Sequence, residues 1–153
     1  IEYYEDSLLP LARLYNLERE LDQALQEKIW LKSGGFLVIQ QTEAFVAIDV
    51  NTGKHSSKKD AEENYKQINR EAALEIARQL RLRNLSGMIL VDFINMKNTN
   101  DQSELLQYMG SLVRSDPMQT VVVDVTALGI MEITRKKSSK TLAEQLLQLK
   151  KGE

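Results

Sequence analysis

The spacing of apolar residues in the first third of the chain predicts one helix followed by three strands. Leu17, Leu21 and Leu25 recur at helical spacing behind Asn16, a residue suited to cap a helix, so a helix is expected over about residues 16–27. The helical period stops before Trp30 and gives way to short apolar runs separated by turn residues. These runs predict an antiparallel meander with strands at residues 29–31, 36–39 and 44–50.

The pattern then alternates between helix and strand. A long helical pattern at about residues 58–83 leads into an apolar run at residues 88–94, which is typical of a central strand covered on both faces. Asp101 and Glu104 have the spacing of a capping box and predict the start of the next helix. Two further strands are predicted at residues 120–125 and 130–135. A terminal helix follows, opened by Thr141 and Glu144.

This order of elements predicts the fold class. Strand, helix, strand, helix and strand after an antiparallel meander imply an α/β fold with a mixed sheet, on which helices pack through right-handed crossovers. With 153 residues, of which 42% are hydrophobic, the chain can bury one core and carry an appendage. Its apolar stretches are far shorter than the roughly 18 residues that a membrane-spanning helix needs. No membrane segment is therefore expected.

Composition limits the chemistry that the chain can perform. It contains no cysteine, which excludes disulfides and thiolate metal sites and fits a cytoplasmic location. The net charge of −2 argues against a protein that coats nucleic acid through bulk positive charge, so local basic clusters must make any such contact. Each cluster is more typical of solvated surface than of a binding site. The clusters are Arg135, Lys136, Lys137 and Lys140; Arg78, Arg81 and Arg83; and Lys54, Lys58 and Lys59.

Two acids stand where strands are predicted to end. Asp49 lies near the end of the third meander strand, and Asp92 lies near the end of the strand after the long helix. Asn51 follows Asp49 on the same side of its strand. Ligands favour the carboxyl ends of strands in such sheets, and converging carboxylates suit Mg²⁺ or Mn²⁺. The pattern alone leaves a structural alternative equally open, in which each aspartate caps a loop or pairs with a nearby arginine.

Three weaker candidates accompany this pair. Asp124 also ends a predicted strand and is a further candidate metal ligand. Residues 48–53 are similar to the phosphatase turn in which a nucleophilic aspartate ends the first strand, but Asn51 stands where that turn needs an acid. His55, the only histidine, lies in a predicted loop beside Lys54 and is a weak candidate for a general base.

An extended set of motifs occurs in a single order over about residues 17–137. The motifs are LKSGG at 31–35, TEA at 42–44, AIDVNTGK at 47–54, NREAA at 69–73, EIARQLRLR at 75–83, VDFI at 91–94 and LGIMEITR at 128–135. Together they resemble the central catalytic part of the bacterial ribonuclease E/G family. Because the match is long and ordered, it is more specific than any short motif.

The resemblance implies a function and a role for each candidate. Family members hydrolyse single-stranded RNA during RNA processing and decay and leave 5′-phosphate and 3′-hydroxyl ends. Asp49 and Asp92 match the two aspartates that hold the catalytic Mg²⁺, for which Mn²⁺ can substitute, and Asn51 matches an assisting asparagine. Lys54, Arg81 and Arg135 are weaker candidates for contacts with the RNA backbone. The alternative from another functional class is a non-catalytic RNA-binding or assembly module that retains the fold.

The resemblance also implies a division of the chain. Residues 1–27 are expected to be the tail of a ribonuclease H-like subdomain, residues 28–140 a deoxyribonuclease I-like catalytic subdomain that binds metal, and residues 141–153 a C-terminal helix and tail. The family's OB-fold RNA-binding domain and 5′-end sensor are expected to precede this region. The expected partner is single-stranded RNA, and a homo-oligomer is expected only in the full-length protein.

Overall fold

The computed structural model describes residues 15–53 and 61–151, together with residues 4, 10 and 13. The helices in this part of the chain are α1 (Leu17–Ala24), α2 (Ala61–Leu82), α3 (Thr99–Val113) and α4 (Leu142–Lys151). The strands are β1 (Lys28–Trp30), β2 (Phe36–Gln41), β3 (Val46–Asn51), β4 (Gly87–Asp92), β5 (Thr120–Val125) and β6 (Ile130–Arg135). The elements therefore follow the predicted order. The predicted division at residues 28 and 141 stays a prediction.

The six strands form one mixed sheet in the order β1-β2-β3-β4-β6-β5. The first three pair antiparallel as the predicted meander. Helix α2 then crosses over, so β4 pairs parallel to β3. Strand β6 pairs antiparallel with β4 on one side and with β5 on the other. The prediction of a mixed α/β fold with β4 near the sheet centre is confirmed.

One face of the sheet packs against the long helices. Along β3 and β4 every second side chain is buried, as Ile48, Ile89 and Val91 illustrate with at most 2% exposure. These residues share one apolar core with the buried stripes of α2 and α3, which include Ile76 and Met109. The two-residue period of a strand sends the intervening side chains to the other face. That second face is called the open face below.

The open face corrects the prediction that β4 is covered on both sides. Met88 is 45% exposed, although its neighbour Ile89 is completely buried. Trp30 and Val123 also remain more than half exposed. The reason is that α2 and α3 belong to the same core and cover the same face. On this face of β3 and β4, Asp49, Met88 and Asp92 are consequently exposed.

Helix ends differ from the predicted caps in two places. Asn16 has φ 51° and ψ 33° and makes no capping hydrogen bond through its side chain, so the prediction that it caps α1 is wrong. Helix α3 begins earlier than predicted, because the side chain of Asn98 accepts a hydrogen bond of 2.9 Å from the backbone N–H of Asn100. Asp101 instead accepts a hydrogen bond from the ammonium of Lys66 at 2.7 Å.

The predicted capping box at the start of α4 is confirmed. The Thr141 N–H donates to the Glu144 carboxylate at 2.7 Å, and the Glu144 N–H donates to the Thr141 hydroxyl at 3.3 Å. Within the described ranges, every helix is too short or too polar to cross a membrane.

Candidate active site

Asp49 and Asp92 occupy paired positions on the neighbouring parallel strands β3 and β4. Adjacent strands lie about 4.8 Å apart, so the two α-carbons are separated by one strand spacing. Both side chains are exposed, whereas Ile48, Val50 and Val91 next to them are buried. The two carboxylates therefore project from the open face at the carboxyl ends of their strands. The predicted convergence of these strand ends is confirmed.

Asn51 is coupled directly to the first of these acids. Its amide nitrogen donates a hydrogen bond of 2.8 Å to Oδ2 of Asp49. The amide oxygen of Asn51 and Oδ1 of Asp49 take no part in this bond. Asn51 thus orients the Asp49 carboxylate and leaves an oxygen of each residue as a potential ligand for a hard cation.

Two glycines allow the end of β3 to pack tightly against the β1–β2 turn. A Cβ on Gly53 would lie 1.7 Å from the carbonyl oxygen of Gly34, and a Cβ on Gly35 would lie 2.8 Å from the carbonyl oxygen of Asn51. Only glycine permits backbones to approach this closely. Residues 31–35 and residues 47–53 therefore meet in space and fix the position of Asn51.

Helix α2 anchors both segments that surround the acids. The Glu71 carboxylate accepts hydrogen bonds from the backbone N–H groups of Lys32 and Ser33, which holds the β1–β2 turn. Asn69 is completely buried and bonds to Ile94 twice, donating to its carbonyl at 2.7 Å and accepting from its N–H at 2.9 Å. Sequence reasoning missed the positioning role of Asn69, although a polar residue within the apolar stripe of α2 was the available signal.

Arg135 is not available for the predicted contact with RNA. Its guanidinium is buried, and its Nε and Nη2 donate to the two carboxylate oxygens of Asp116 at 2.7 and 3.2 Å. Nη1 donates to Asn84 and to the Leu85 carbonyl at 2.9 and 3.0 Å. This network fastens the end of β6 to the loop before β4. The structure therefore corrects the basic-cluster interpretation for Arg135, because a buried bidentate ion pair cannot also hold phosphate.

Arg81 lies far from the acid pair. It belongs to the last turn of α2, near the start of β4, whereas Asp92 lies at the end of that strand. Arg83, from the same predicted cluster, is buried and donates to the Gln26 carbonyl at 2.6 Å. The predicted site contact for Arg81 is consequently not supported by its position. Lys54, Lys58, Lys59 and His55 lie outside the described residues.

Asp124 is separated from the acid pair by a strand. It lies on β5, opposite Glu132 of β6, and β6 stands between β5 and β4. Its carboxylate accepts a hydrogen bond of 2.8 Å from the N–H of Val125. Asp124 is therefore an exposed strand-end acid outside the pair.

The donor set fits a magnesium ion that keeps several of its waters. In the described part of the chain, no three Asp, Glu, His or Cys side chains converge as a metal cluster. The site offers two carboxylates and one amide oxygen, which are hard ligands. Mg²⁺ dehydrates reluctantly and is commonly held by one or two carboxylates together with water and substrate phosphates. Asp49, Asp92 and Asn51 can supply such a partial shell.

The fold and the site together define an α/β domain whose open sheet face carries a carboxylate pair suited to a divalent cation. The model of the ribonuclease E/G family matches residues 1–138. The chain belongs to the ribonuclease E/G family.

Named relatives agree with this assignment. Ribonuclease G of Escherichia coli strain K12 is 39% identical over 137 residues, which cover 90% of this chain and 28% of that protein. Ribonuclease E of Nostoc sp. strain PCC 7120 is 38% identical over 144 residues, which cover 94% of this chain and 21% of that protein. Ribonuclease G of Haemophilus influenzae is also 39% identical over 137 residues. The chain thus spans about a fifth to just over a quarter of the length of these relatives.

Proposed function

We propose that this chain forms the catalytic site of a Mg²⁺-dependent endoribonuclease that hydrolyses single-stranded RNA in RNA processing and decay. The observation that carries the proposal is the pairing of Asp49 with Asp92 at the end of two parallel strands. Membership of the ribonuclease E/G family supplies the substrate class. A scaffold or assembly module has no need for two exposed like charges one strand spacing apart, because they repel each other when no cation is bound.

Each site residue has a separate task in this proposal. Asp49 and Asp92 hold the cation, and the Asn51 amide fixes the carboxylate of Asp49 through its 2.8 Å bond. When bound, Mg²⁺ offsets the negative charge that builds on the phosphate and favours attack by water. Attack on phosphorus with departure of the 3′ oxygen leaves a 5′-phosphate and a 3′-hydroxyl. Mn²⁺ can replace Mg²⁺ because it accepts the same hard oxygen ligands.

The open face accounts for access of RNA to the acids. Asp49 and Asp92 are exposed on a surface that the described helices leave uncovered, so a flexible strand can bring its backbone against them. Lys54 follows Asn51 closely in the sequence and is proposed to contact an RNA phosphate. Arg81 and Arg135 are left out of this role because of their positions.

The proposal is tested by Mn²⁺ binding to the purified chain, measured by electron paramagnetic resonance. Asp49→Asn and Asp92→Asn are each expected to weaken Mn²⁺ binding at least about tenfold, since each removes a negative charge from the site. Asp124→Asn is the matched control, because it neutralises an exposed strand-end acid outside the pair. The same substitutions in a full-length family enzyme carrying this chain should abolish RNA cleavage in the first two cases and spare it in the third.

Equal Mn²⁺ affinity in the wild type and Asp92→Asn would contradict the metal site. Cleavage that persists in Asp92→Asn without extra metal would contradict the mechanism, even if Mn²⁺ bound to the wild type as expected.

A further inference from the structure

A cavity of about 200 Å³ opens directly beside the acid pair. Its walls are formed by the segment that follows β4, by the first half of α3 and by the turn between β5 and β6. Asp92 itself belongs to the wall. The cavity therefore adjoins Asp92, one of the two acids that hold the cation in the proposed function.

The chemistry of the walls favours a neutral ligand with polar edges. Most of the surface is apolar, and the polar side chains besides Asp92 are the amides of Asn95 and Gln102. The amide nitrogen of Gln102 donates to the Met96 carbonyl at 2.6 Å, which fixes its side chain while its amide oxygen takes no part in that bond. Among the described residues in the wall, Asp92 alone is charged, so an anion is disfavoured inside the cavity.

Leu128 contributes an exposed apolar side chain to the wall of the cavity. It is 89% exposed and lines the cavity from the β5–β6 turn. The turn is well fixed, because the Gly129 N–H donates to the Thr126 carbonyl at 2.8 Å and the Ile130 N–H donates to the Thr126 hydroxyl at 3.1 Å. Gly129 has φ +86°, a conformation that a side chain would strain. An apolar side chain is thus held at the cavity by a turn of defined shape.

We propose that this cavity binds one base of the RNA, that of a nucleotide next to the phosphate at Asp49 and Asp92. The inference rests on the proposed function for the identity of the polymer. Bases of single-stranded RNA can be splayed out, held between side chains and hydrogen-bonded at their edges. Amide side chains pair with base edges, which matches Asn95 and Gln102. At about 200 Å³ the cavity has room for a single ring system.

The test follows the methyl groups of Val125 and Met131 by nuclear magnetic resonance in EDTA. The probes are the four nucleosides, which carry no phosphate, and ribose is the matched probe that lacks a base. We expect at least one nucleoside to shift both methyl signals and ribose to leave them unchanged. Leu128→Ser should weaken the nucleoside effect about fivefold to tenfold, because it removes apolar contact area. Leu149→Ser is the control, since Leu149 is a 70% exposed leucine on α4.

Three results would overturn the proposal. If ribose shifted the methyl signals as strongly as the nucleosides, the cavity would be a sugar site. If none of the four nucleosides shifted them, the cavity would not be a base site. Leu128→Ser could bind as well as Leu149→Ser, which would remove the β5–β6 turn from the site.

Failure of this inference is distinguishable from failure of the proposed function. The methyl experiment contains no metal and reports on the base alone. Mn²⁺ binding that depends on Asp92, without base-dependent shifts, would sustain the proposed function and exclude the base site. Base-dependent shifts in a chain that binds no Mn²⁺ would sustain the base site and exclude the proposed metal site.

Discussion

The side-chain amide of Asn51 donates a 2.8 Å hydrogen bond to the carboxylate of Asp49 on the same face of β3. A hydrogen bond to a charged group contributes about 1.5–3 kcal/mol when well formed and less when exposed. Both residues lie at the accessible end of β3. The bond therefore positions the carboxylate of Asp49 and leaves its charge in place. Removing the bond should lower metal affinity more than it lowers the free energy of unfolding.

Asn51→Ala is accordingly expected to weaken Mn²⁺ binding by about threefold to tenfold, less than loss of either carboxylate. The change in the free energy of unfolding should stay within about 0.5 kcal/mol. Gln40→Ala is the matched control, because Gln40 is an exposed amide on the neighbouring strand β2. Both affinities are measured by electron paramagnetic resonance, and an equal effect of the two substitutions would deny Asn51 its positioning role.

Asp92→Asn should leave the metal-free fold as stable as the wild type or slightly more stable. Like charges directly opposite each other on paired strands are unfavourable by up to about 1 kcal/mol, and Asn removes one of them while keeping the shape. Urea unfolding in EDTA measures this difference. A loss of more than about 1 kcal/mol would show that Asp92 serves the fold, as a capping or ion-paired aspartate does.

Gly53→Ala is expected to damage both stability and metal binding. The added Cβ would lie 1.7 Å from the Gly34 carbonyl, so the end of β3 must move away from the β1–β2 turn. We expect a cost of about 1–3 kcal/mol in the free energy of unfolding and weaker Mn²⁺ binding, since Asn51 moves with the strand end. Gly110→Ala is the control, because that helical glycine has open space around it and the change should stabilise by about 0.5–1 kcal/mol.

If Gly53→Ala unfolded at the same urea concentration as the wild type, the close packing of Gly53 against the Gly34 carbonyl would be contradicted. Loss of Mn²⁺ binding in Gly110→Ala would likewise contradict the assignment of the site to the end of β3.

The buried Arg135–Asp116 pair should give the chain an acid-sensitive stability. Burial disfavours the charged form of Asp116, but hydrogen bonds from Arg135, the Met118 N–H and the Thr120 hydroxyl outweigh it and lower the pKa of Asp116. A pKa lowered by folding stabilises the fold above the ordinary aspartate pKa of about 3.9. That contribution is lost as the pH falls through the lower pKa of the folded state. Wild-type stability should therefore decline below about pH 4.

Asp116→Asn tests this expectation by urea unfolding across a pH series. At neutral pH it should cost about 3–5 kcal/mol, because Arg135 is left buried without its anion, and the gap to the wild type should narrow in acid. Arg78→Met removes an exposed ion pair with Glu75 and should cost at most about 1 kcal/mol at any pH. A gap for Asp116→Asn that does not change with pH would refute the pKa argument.

The sequence predicted the order of the elements and the adjacency of the two strands that carry the acids, but not their role. A right-handed crossover through one helix usually returns the chain beside the strand that it left, so β3 and β4 were expected to be neighbours, and they are. The placement of β6 between β4 and β5 could not be derived in this way. Both of its pairings are antiparallel, and local pattern does not select among the strand edges available to such a strand.

Arg135 shows why local charge density was a poor guide to one candidate RNA contact. In the sequence it continues into Lys136 and Lys137, which are exposed, whereas its own side chain is buried on β6. Its partner Asp116 lies before β5, and only the β5–β6 pairing brings the two together. Local charge density cannot reveal a partner that tertiary structure supplies. The same limit explains why the prediction that β4 is covered on both faces was wrong. A continuous apolar run does not show which face of the sheet the helices will leave open.

If Asp49 and Asp92 hold a cation as proposed, the crossover that joins β3 to β4 couples cation binding to folding. Asp49 and Asp92 are separated in the sequence by the whole of α2, so an unfolded chain holds them apart and offers no site. A divalent ion then binds the native state alone and shifts the unfolding equilibrium by mass action. Each tenfold rise in ion concentration above the dissociation constant adds about 1.4 kcal/mol to the free energy of unfolding. In the proposed function, the divalent-ion concentration would thus set part of the free energy of unfolding through a single pair of carboxylates.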